Sequence, residues 1–444
     1  MKERTTATSG LSHRFPSWLT PQNVAWLLLF VCIGLLNVSK ATSSIATGGL
    51  AAMMLWYGLQ NRLWSLGKVR WVVWAMVAIW LLAVVAIGWT SDTGRWVKDV
   101  REKLPLLVIP LALGVLPAFS RKQWMSFLWI FILSQLVLAV ISLILFFANY
   151  EELMIQISYN GNVPVAGSLS HIYFGLYLVL ACLMAVYLFL QPVYTFFKGE
   201  KWWALGSGIV LVVLLHVFTS RTGLLAFYAT AGVLIFLYLF YTRAYKTGAI
   251  ALLVIVSLPI IAVKTIPSLQ TRWEVTLWDL RERNNPSRDL ADLSVTMRLA
   301  TWQTAWEVYA KNPLLGVGKG DLPAEMEEQF QVNGWGKRTA RPMLDPHNQY
   351  LSSAASTGLM GIFILVLGFL TFLMVKKDSF LVYLLVWGLA VLMATGMLFE
   401  SLLERQAGMI FWAIFALLFL KIPSSPLDKE SKSHIASNWV EGEE

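Results

Sequence analysis

The sequence predicts an all-α protein that crosses a membrane about twelve times and carries one large loop with short helices of its own. Hydrophobic residues make up 57% of the 444 residues and charged residues only 14%, whereas a soluble domain has about 25% charged residues. Apolar runs close to membrane-spanning length recur along the whole chain. Both observations favour a polytopic membrane protein.

Twelve apolar runs are predicted to span the membrane. They are 24–39, 41–58, 71–89, 104–119, 124–148, 172–191, 203–219, 222–241, 248–263, 349–374, 379–397 and 407–420. We expect the first run to remain as an uncleaved helix, because the tail before it is long for a signal peptide. The two cysteines, Cys32 and Cys182, lie within these runs and indicate neither a disulfide framework nor a metal site.

The basic residues predict the orientation of the spans. The tails and loops on one side hold seventeen Lys and Arg residues, and the short loops on the other side hold seven. The positive-inside rule assigns the richer side to the cytoplasm, so both termini are predicted to be cytoplasmic. The net charge of +9 is therefore explained by topology, and we do not expect nucleic-acid binding.

This topology divides the chain into five segments. Residues 1–23 and 422–444 are predicted cytoplasmic tails, residues 24–263 contain the first nine spans, and residues 347–421 contain the last three. Residues 264–346 form a large outer loop, which is too long and too regular in pattern to be a linker. We expect it to fold back over the outer mouth of the bundle.

Two helices are predicted within the large loop. Residues 294–310 have helical periodicity, with Ser294 as the expected cap and with Pro313 and three following glycines ending the helix. Arg298 lies on this helix and is either an exposed arginine or part of a site. A second short helix is expected at residues 322–331.

Two further patterns are better explained by structure than by ligand binding. GVGKGD (316–321) lacks both the first glycine and the final Ser or Thr of a phosphate loop, so we interpret it as a turn. The acidic pairs at helical spacing are Asp289 with Asp292 and Glu400 with Glu404. They could bind a cation, but pairing with basic side chains is the simpler explanation, and no metal site is predicted.

The start of the tenth span is the first candidate site. We expect Asp345 to cap this helix and Pro346 to occupy its first position, which places His347 and Asn348 in the first turn. The helix dipole disfavours an imidazolium there, so His347 is expected to be a neutral general base, oriented by Asp345. The alternative is an interfacial histidine that only hydrogen-bonds neighbouring loops.

Basic residues at other helix starts form the second candidate site. Thr219 or Ser220 can cap the eighth span, and Arg221 then opposes the helix dipole unless it holds an anion, or else it contacts lipid phosphate. Lys98, Arg101, Lys103 and His171 are weaker candidates on the same outer face, whereas His216 is expected to be a satisfied histidine of the bundle. Cations around a base suit a lipid-linked pyrophosphate that reacts with a hydroxyl.

Three motifs lie at the starts of two spans and in the large loop: SRTG (220–223), MRLATWQTAWEVYAKNPLLGVG (297–318) and HNQYL (347–351). In their order and spacing, and with the twelve-span outline, they resemble the O-antigen ligase and O-antigen polymerase family. The resemblance implies a GT-C-like glycosyltransferase of the bacterial inner membrane, with its active site and the loop 264–346 facing the periplasm.

The resemblance also implies partners and residue roles. The family transfers a glycan from undecaprenyl diphosphate to lipid A–core or another glycan acceptor, with inversion and without a metal or other cofactor. His347 matches its catalytic histidine, Arg221 and Arg298 match its diphosphate-binding arginines, and Asn348 belongs to the same element as His347. Lys103 and His171 are carried over more loosely.

Several activities remain open within and beyond this family. A ligase is favoured because the large loop leads directly into the His-Asn element; a repeat-unit polymerase and a protein O-oligosaccharyltransferase are the alternatives. A transporter of lipid-linked glycans would also place cations near its mouth. It would, however, need polar groups deep within the spans, and these spans carry almost no charge away from their ends.

Overall fold

The computed structural model describes residue 16 and residues 19–423, except 63, 162, 169, 192–194, 219, 342 and 378. Every regular element in this part of the chain is an α-helix or a short 3-10 helix. The predicted all-α fold is therefore confirmed. Most of the two predicted tails, 1–23 and 422–444, and the cap candidate Thr219 lie outside the described residues.

The described residues form seventeen α-helices. In chain order they are α1 (Pro21–Gly34), α2 (Lys40–Asn61), α3 (Arg70–Val85), α4 (Thr93–Glu102), α5 (Pro105–Val115), α6 (Arg121–Ala148), α7 (Tyr150–Ser158), α8 (His171–Leu190), α9 (Glu200–Val217), α10 (Arg221–Thr242), α11 (Tyr245–Thr265), α12 (Pro267–Glu282), α13 (Ser294–Lys311), α14 (Leu322–Val332), α15 (Gln349–Met374), α16 (Phe380–Phe399) and α17 (Gln406–Leu420).

Each of the twelve predicted runs overlaps one of these helices, but fewer helices meet the requirements of a span. In the described chain, eight helical segments are long and apolar enough to cross a membrane, and α1 and α17 are shorter apolar helices. Helix α5 has 11 residues, about 16 Å at the helical rise, against a hydrocarbon core of about 30 Å. The protein is a polytopic membrane protein, and the number twelve stays a prediction.

Helix α8 is the central helix of the bundle. It is buried along nearly its whole length and packs against α6, α9, α10 and α16. The ring of Tyr177 stacks on Phe411 of α17 with 4.5 Å between centroids. Because α8 is fixed on several sides, its first residue, His171, has a well-defined place at the end of the bundle.

The large loop contains the two predicted helices and one that was not predicted. Helices α13 and α14 confirm the predicted 294–310 and 322–331, but Ser294 is not the cap of α13. The carboxylate of Asp279 caps α13 instead. It accepts hydrogen bonds from the backbone N–H of Val295 at 2.7 Å and of Thr296 at 3.2 Å. Asp279 lies on α12, the helix that was missed.

The GVGKGD turn fastens the large loop to α15. Helix α15 is broken at Gly358, whose φ of 64° is in the left-handed region. The backbone N–H of Val317 and of Gly318 donates to the freed carbonyls of Ala355 and Ser356, both at 2.9 Å. The predicted turn is confirmed. It satisfies a broken membrane helix that would otherwise leave carbonyls without partners.

Candidate active site

The helix that follows His347 begins later than predicted. Helix α15 begins at Gln349, and Asn348 is its N-cap, because the Asn348 side chain accepts a hydrogen bond from the backbone N–H of Leu351 at 3.1 Å. Asp345 is therefore not the cap, and His347 is not in the first helical turn. His347 itself has a φ of 46°, a left-handed conformation that histidine adopts more readily than most residues.

Glu400, at the end of α16, orients the His347 ring. Its Oε2 lies 3.0 Å from Nδ1 of His347. An ionised carboxylate only accepts hydrogen bonds, so Nδ1 carries the proton and Nε2 keeps a free lone pair. The predicted orienting residue, Asp345, accepts a hydrogen bond from the His347 backbone N–H at 3.0 Å and not from the ring.

The pKa of His347 also shifts in the direction opposite to the expectation. Burial lowers the pKa of His347, but the hydrogen bond and charge of Glu400 and the charge of Asp345 raise it further, so the pKa lies above its ordinary value. The predicted neutral imidazole rested on a helix dipole that acts one residue further along the chain. The geometry instead forms a carboxylate–imidazole pair, which strengthens the base while it is unprotonated.

Arg221 begins α10 as predicted, and Ser220 caps this helix by accepting from the backbone N–H of Gly223 at 3.3 Å. The Arg221 guanidinium donates to Ser294 Oγ at 3.2 Å and to Asn160 Oδ1 at 3.0 Å. Its buried Nε has no hydrogen-bond partner. Both partners are neutral, so they leave the positive charge uncompensated.

Arg298, on α13, connects the histidine to the other arginines. Its charge acts on His347 and on Arg221, and the charge of Glu400 acts on Arg298. Burial lowers the pKa of Arg298, although Glu400 opposes this. Arg298 makes no hydrogen bond or ion pair with another described residue. The structure thus brings Arg221, Arg298 and His347 into one electrostatic cluster.

A third arginine, Arg272 of α12, joins this cluster and was missed in the sequence. It is 5% exposed and donates from Nη2 to the carbonyl of Gly161. Burial, together with the charge of Arg221, lowers the pKa of Arg272 to about 10. His171, at the start of α8, lies within electrostatic range of all three arginines. We call Arg221, Arg272 and Arg298 the arginine cluster.

The remaining basic candidates, Lys103 and Arg101, have different environments. Lys103 is buried and pairs with Asp99 at 2.7 Å and with Glu404 at 2.8 Å, and Lys319 pairs with Glu404 at 3.1 Å. Arg101 is exposed in the last turn of α4. The role predicted for Lys103 as a supporting cation of the site is therefore replaced by a role in this carboxylate–lysine network.

Two other polar side chains, those of Tyr173 and His216, lie within the helix bundle. The hydroxyl of Tyr173, on α8, is buried without a hydrogen-bond partner and lies within electrostatic range of Glu400. No sequence signal distinguished it from other tyrosines in the spans. His216 is hydrogen-bonded to the Val212 carbonyl at 2.7 Å and to the Tyr228 hydroxyl at 2.6 Å, which confirms the prediction of a satisfied bundle histidine.

Comparison with known proteins found one family for part of the chain. Residues 206–366 match the family model described as O-Antigen ligase. The matched segment contains the arginine cluster and His347, and it ends before Glu400. A comparison with curated proteins found no match.

Proposed function

Because residues 206–366 carry an O-antigen ligase family domain, we propose that this membrane glycosyltransferase transfers a glycan from undecaprenyl diphosphate to a hydroxyl of lipid A–core at the periplasmic face of the inner membrane. The observation that carries the proposal is Arg298. Its charge links the carboxylate–imidazole pair of Glu400 and His347 to Arg221, so one substrate can contact a base and anion-binding groups together.

Arg221 and Arg298 bind the donor diphosphate in this proposal. Buried cations are costly unless an anion or a set of hydrogen bonds compensates them. Neither arginine forms an ion pair with a carboxylate of the described chain. A guanidinium fork can bind phosphate oxygens in a bidentate manner. The two arginines also stabilise the charge that develops on the leaving diphosphate, a role that a metal ion fills in other transferases.

His347 acts as the general base. Nε2 takes the proton of the acceptor hydroxyl while that oxygen attacks the anomeric carbon of the donor. A new glycosidic bond forms, the bond from the anomeric carbon to the diphosphate oxygen breaks, and the diphosphate leaves with the bonding electrons. Attack opposite the leaving group inverts the anomeric carbon. Glu400 keeps Nδ1 protonated and stabilises the imidazolium that forms.

Among activities with the same chemistry, the ligase is preferred because of the position of the large loop. Helices α13 and α14 pack on α15 through Ala305, Val308, Met326 and Ala355, directly behind the His-Asn element. The large loop therefore lies against the helix that follows the His-Asn element and leads directly into that element. A repeat-unit polymerase and a protein O-oligosaccharyltransferase are the alternative proposals, since each would use the same base and the same diphosphate.

A genetic test separates these activities. A strain that lacks the gene is complemented with wild type, His347→Ala, Arg221→Ala or Arg298→Ala, and its lipopolysaccharide is separated on a gel. A ligase defect leaves bare core and accumulates carrier-linked polymer, whereas a polymerase defect leaves core with a single repeat. A full ladder from all three variants at normal expression would contradict the proposed site. Arg288→Ala, at an exposed arginine paired with Glu282, is the matched control.

A further inference from the structure

The arginine cluster holds three positive charges that no carboxylate of the described chain pairs with. Two carboxylates act on the cluster through their charge: Asp279 acts on Arg221 and Glu400 acts on Arg298. Asp279 is fully buried and is committed to α13: it accepts from two backbone N–H groups and from the Thr296 hydroxyl at 2.7 Å. Glu400 is hydrogen-bonded to His347 at 3.0 Å. Neither carboxylate is bonded to a guanidinium of the cluster, and two negative charges act on three positive ones, so the cluster keeps a net positive charge.

Arg272 and Arg221 are held side by side by one turn. Asn160 accepts from Arg221, and the next residue, Gly161, accepts from Arg272 through its carbonyl. This turn follows α7, and Asn160 also donates to the Asp292 carbonyl at 2.8 Å. Because their acceptors are consecutive residues, these hydrogen bonds hold the two guanidinium groups close together despite their repulsion. Such an arrangement is favourable when an anion lies between them.

Arg272 has unused hydrogen-bonding capacity. Arg272 is 5% exposed, yet its Nε has no hydrogen-bond partner among the described residues, and neither does the buried Nε of Arg221. A buried donor without an acceptor is destabilising, and burial makes the charged form of Arg272 harder to keep. An oxygen-rich dianion would satisfy both the charge and the donors.

We infer that Arg272 is a third anion-binding residue, and that it makes the site select a lipid diphosphate over a lipid monophosphate. The inference rests on the proposed function, because it concerns the same donor site. Two arginines balance the charge of a monophosphate, whereas a diphosphate carries additional charge and oxygens for a third fork. This selectivity would keep undecaprenyl monophosphate, which has the same lipid tail, from occupying the donor site.

Binding of two lipids in nanodiscs tests this inference. Undecaprenyl diphosphate and undecaprenyl monophosphate are titrated against wild type, Arg272→Gln, Arg272→Lys and the control Arg288→Gln. We expect Arg272→Gln to bind the diphosphate about 10-fold to 100-fold more weakly and the monophosphate almost unchanged, so that the affinity ratio falls. Arg272→Lys keeps the charge without the guanidinium fork. Its affinity ratio is expected to lie between those of wild type and Arg272→Gln. Arg288→Gln should behave as wild type.

A thermal-stability measurement excludes a merely structural role. Because Arg272→Gln removes a buried like charge beside Arg221, the Tm without lipid should equal or exceed that of wild type. A wild-type affinity ratio in Arg272→Gln overturns the inference. If that variant does not fold, a wild-type ratio in Arg272→Lys overturns it.

The same titration, extended to Arg221→Gln, separates this inference from the proposed function. Loss of diphosphate binding in Arg221→Gln but not in Arg272→Gln overturns only the role of Arg272. Absence of diphosphate binding in wild type overturns the proposed donor site and, with it, the role of Arg272.

Discussion

Two groups of buried cations in this protein have opposite electrostatic arrangements. In the carboxylate–lysine network, Lys103 and Lys319 share Glu404, and Lys103 also pairs with Asp99. In the arginine cluster, three guanidinium groups have only neutral hydrogen-bond partners or none. Both groups lie in parts of the chain that the sequence predicts to be basic and outer. Their difference is the presence or absence of compensating carboxylates.

This difference separates structural cations from ligand-binding ones. Burial raises the pKa of Glu404, but Lys103 and Lys319 lower it to about 2, and the two carboxylates raise the pKa of Lys103 in turn. Glu404 and Lys103 therefore stay ionised at neutral pH, and the two lysines of the network are matched by two carboxylates. The arginine cluster has no such match, and an uncompensated buried charge persists in a protein when a ligand compensates it.

The largest effect on stability is expected for Lys103→Met. Removing the ammonium leaves Asp99 and part of the charge of Glu404 buried without a partner, which costs about 3–5 kcal/mol. The Tm should fall clearly, while transfer activity per folded molecule should stay close to wild type. The control is Lys98→Met, at an exposed lysine 3.9 Å from Glu102, where a loss below about 1 kcal/mol is expected. An unchanged Tm together with a loss of donor binding would instead indicate that Lys103 binds the donor anion.

The largest effect on catalysis is expected for Arg298→Gln. This arginine acts on both the donor site and the Glu400–His347 pair, so its loss should reduce transfer about 100-fold to 1,000-fold, with little change in Tm. The measurement is glycan transfer from a lipid diphosphate donor in nanodiscs, with Arg288→Gln as the control. A lower Tm with unchanged activity would show that Arg298 is a structural cation, and the comparison would fail.

A smaller effect with a pH signature is expected for Glu400→Gln. His347 must be neutral to accept a proton, and Glu400 raises its pKa, so in wild type kcat/KM should increase as the pH rises through that raised pKa. Removing the charge of Glu400 lowers the pKa of His347 and moves this limb about one unit or more to lower pH. The rate at high pH should fall about 10-fold to 100-fold, since a neutral amide can still accept from Nδ1 but no longer stabilises the imidazolium that forms.

The control for this profile is Glu327→Gln, at an exposed residue of α14. Its pH limb should coincide with that of wild type. An unshifted limb in Glu400→Gln would mean that the profile reports a group other than His347.

Much of the fold could be predicted because the membrane imposes a simple rule on the sequence. The apolar run 349–374 has the same bounds as helix α15, although its cap had been expected earlier, at Asp345. Apolar runs predict helices because every backbone group in lipid must be bonded within its own helix. The short amphipathic helices α4, α7 and α12 were missed, because their polar residues resemble a loop. The sequence still held a signal for α12: Pro267 at its first position is followed by fifteen residues without glycine or proline.

Site residues could be predicted only where a chemically distinctive side chain lies at or near the start of a helix. Arg221 and His347 lie at or next to helix N-termini, which made them visible. Arg272 lies inside the helix that was missed, and Glu400 reaches His347 from a distant helix end, 53 residues along the chain. Such pairing depends on tertiary packing, and the wrong choice of Asp345 as the orienting residue shows the limit of local geometry.

The smallest effect is expected for the most direct test of the comparison, which replaces Asn160 with an aspartate. Asn160→Asp would place an anion 3.0 Å from the position of Arg221 Nη2 and make the arginine cluster resemble the carboxylate–lysine network. Both Asn160→Asp and the control Asn160→Ala lose the hydrogen bond to the Asp292 carbonyl. Their difference therefore reflects the added carboxylate together with the better fit of Asp than Ala to the left-handed φ of 63° at this position. Compared with Asn160→Ala, the Asp variant should be more stable by up to about 1 kcal/mol. It should also bind undecaprenyl diphosphate a few-fold more weakly, because the internal carboxylate competes with the ligand for Arg221. Equal or tighter binding in Asn160→Asp would mean that the missing carboxylates do not distinguish the two groups of cations.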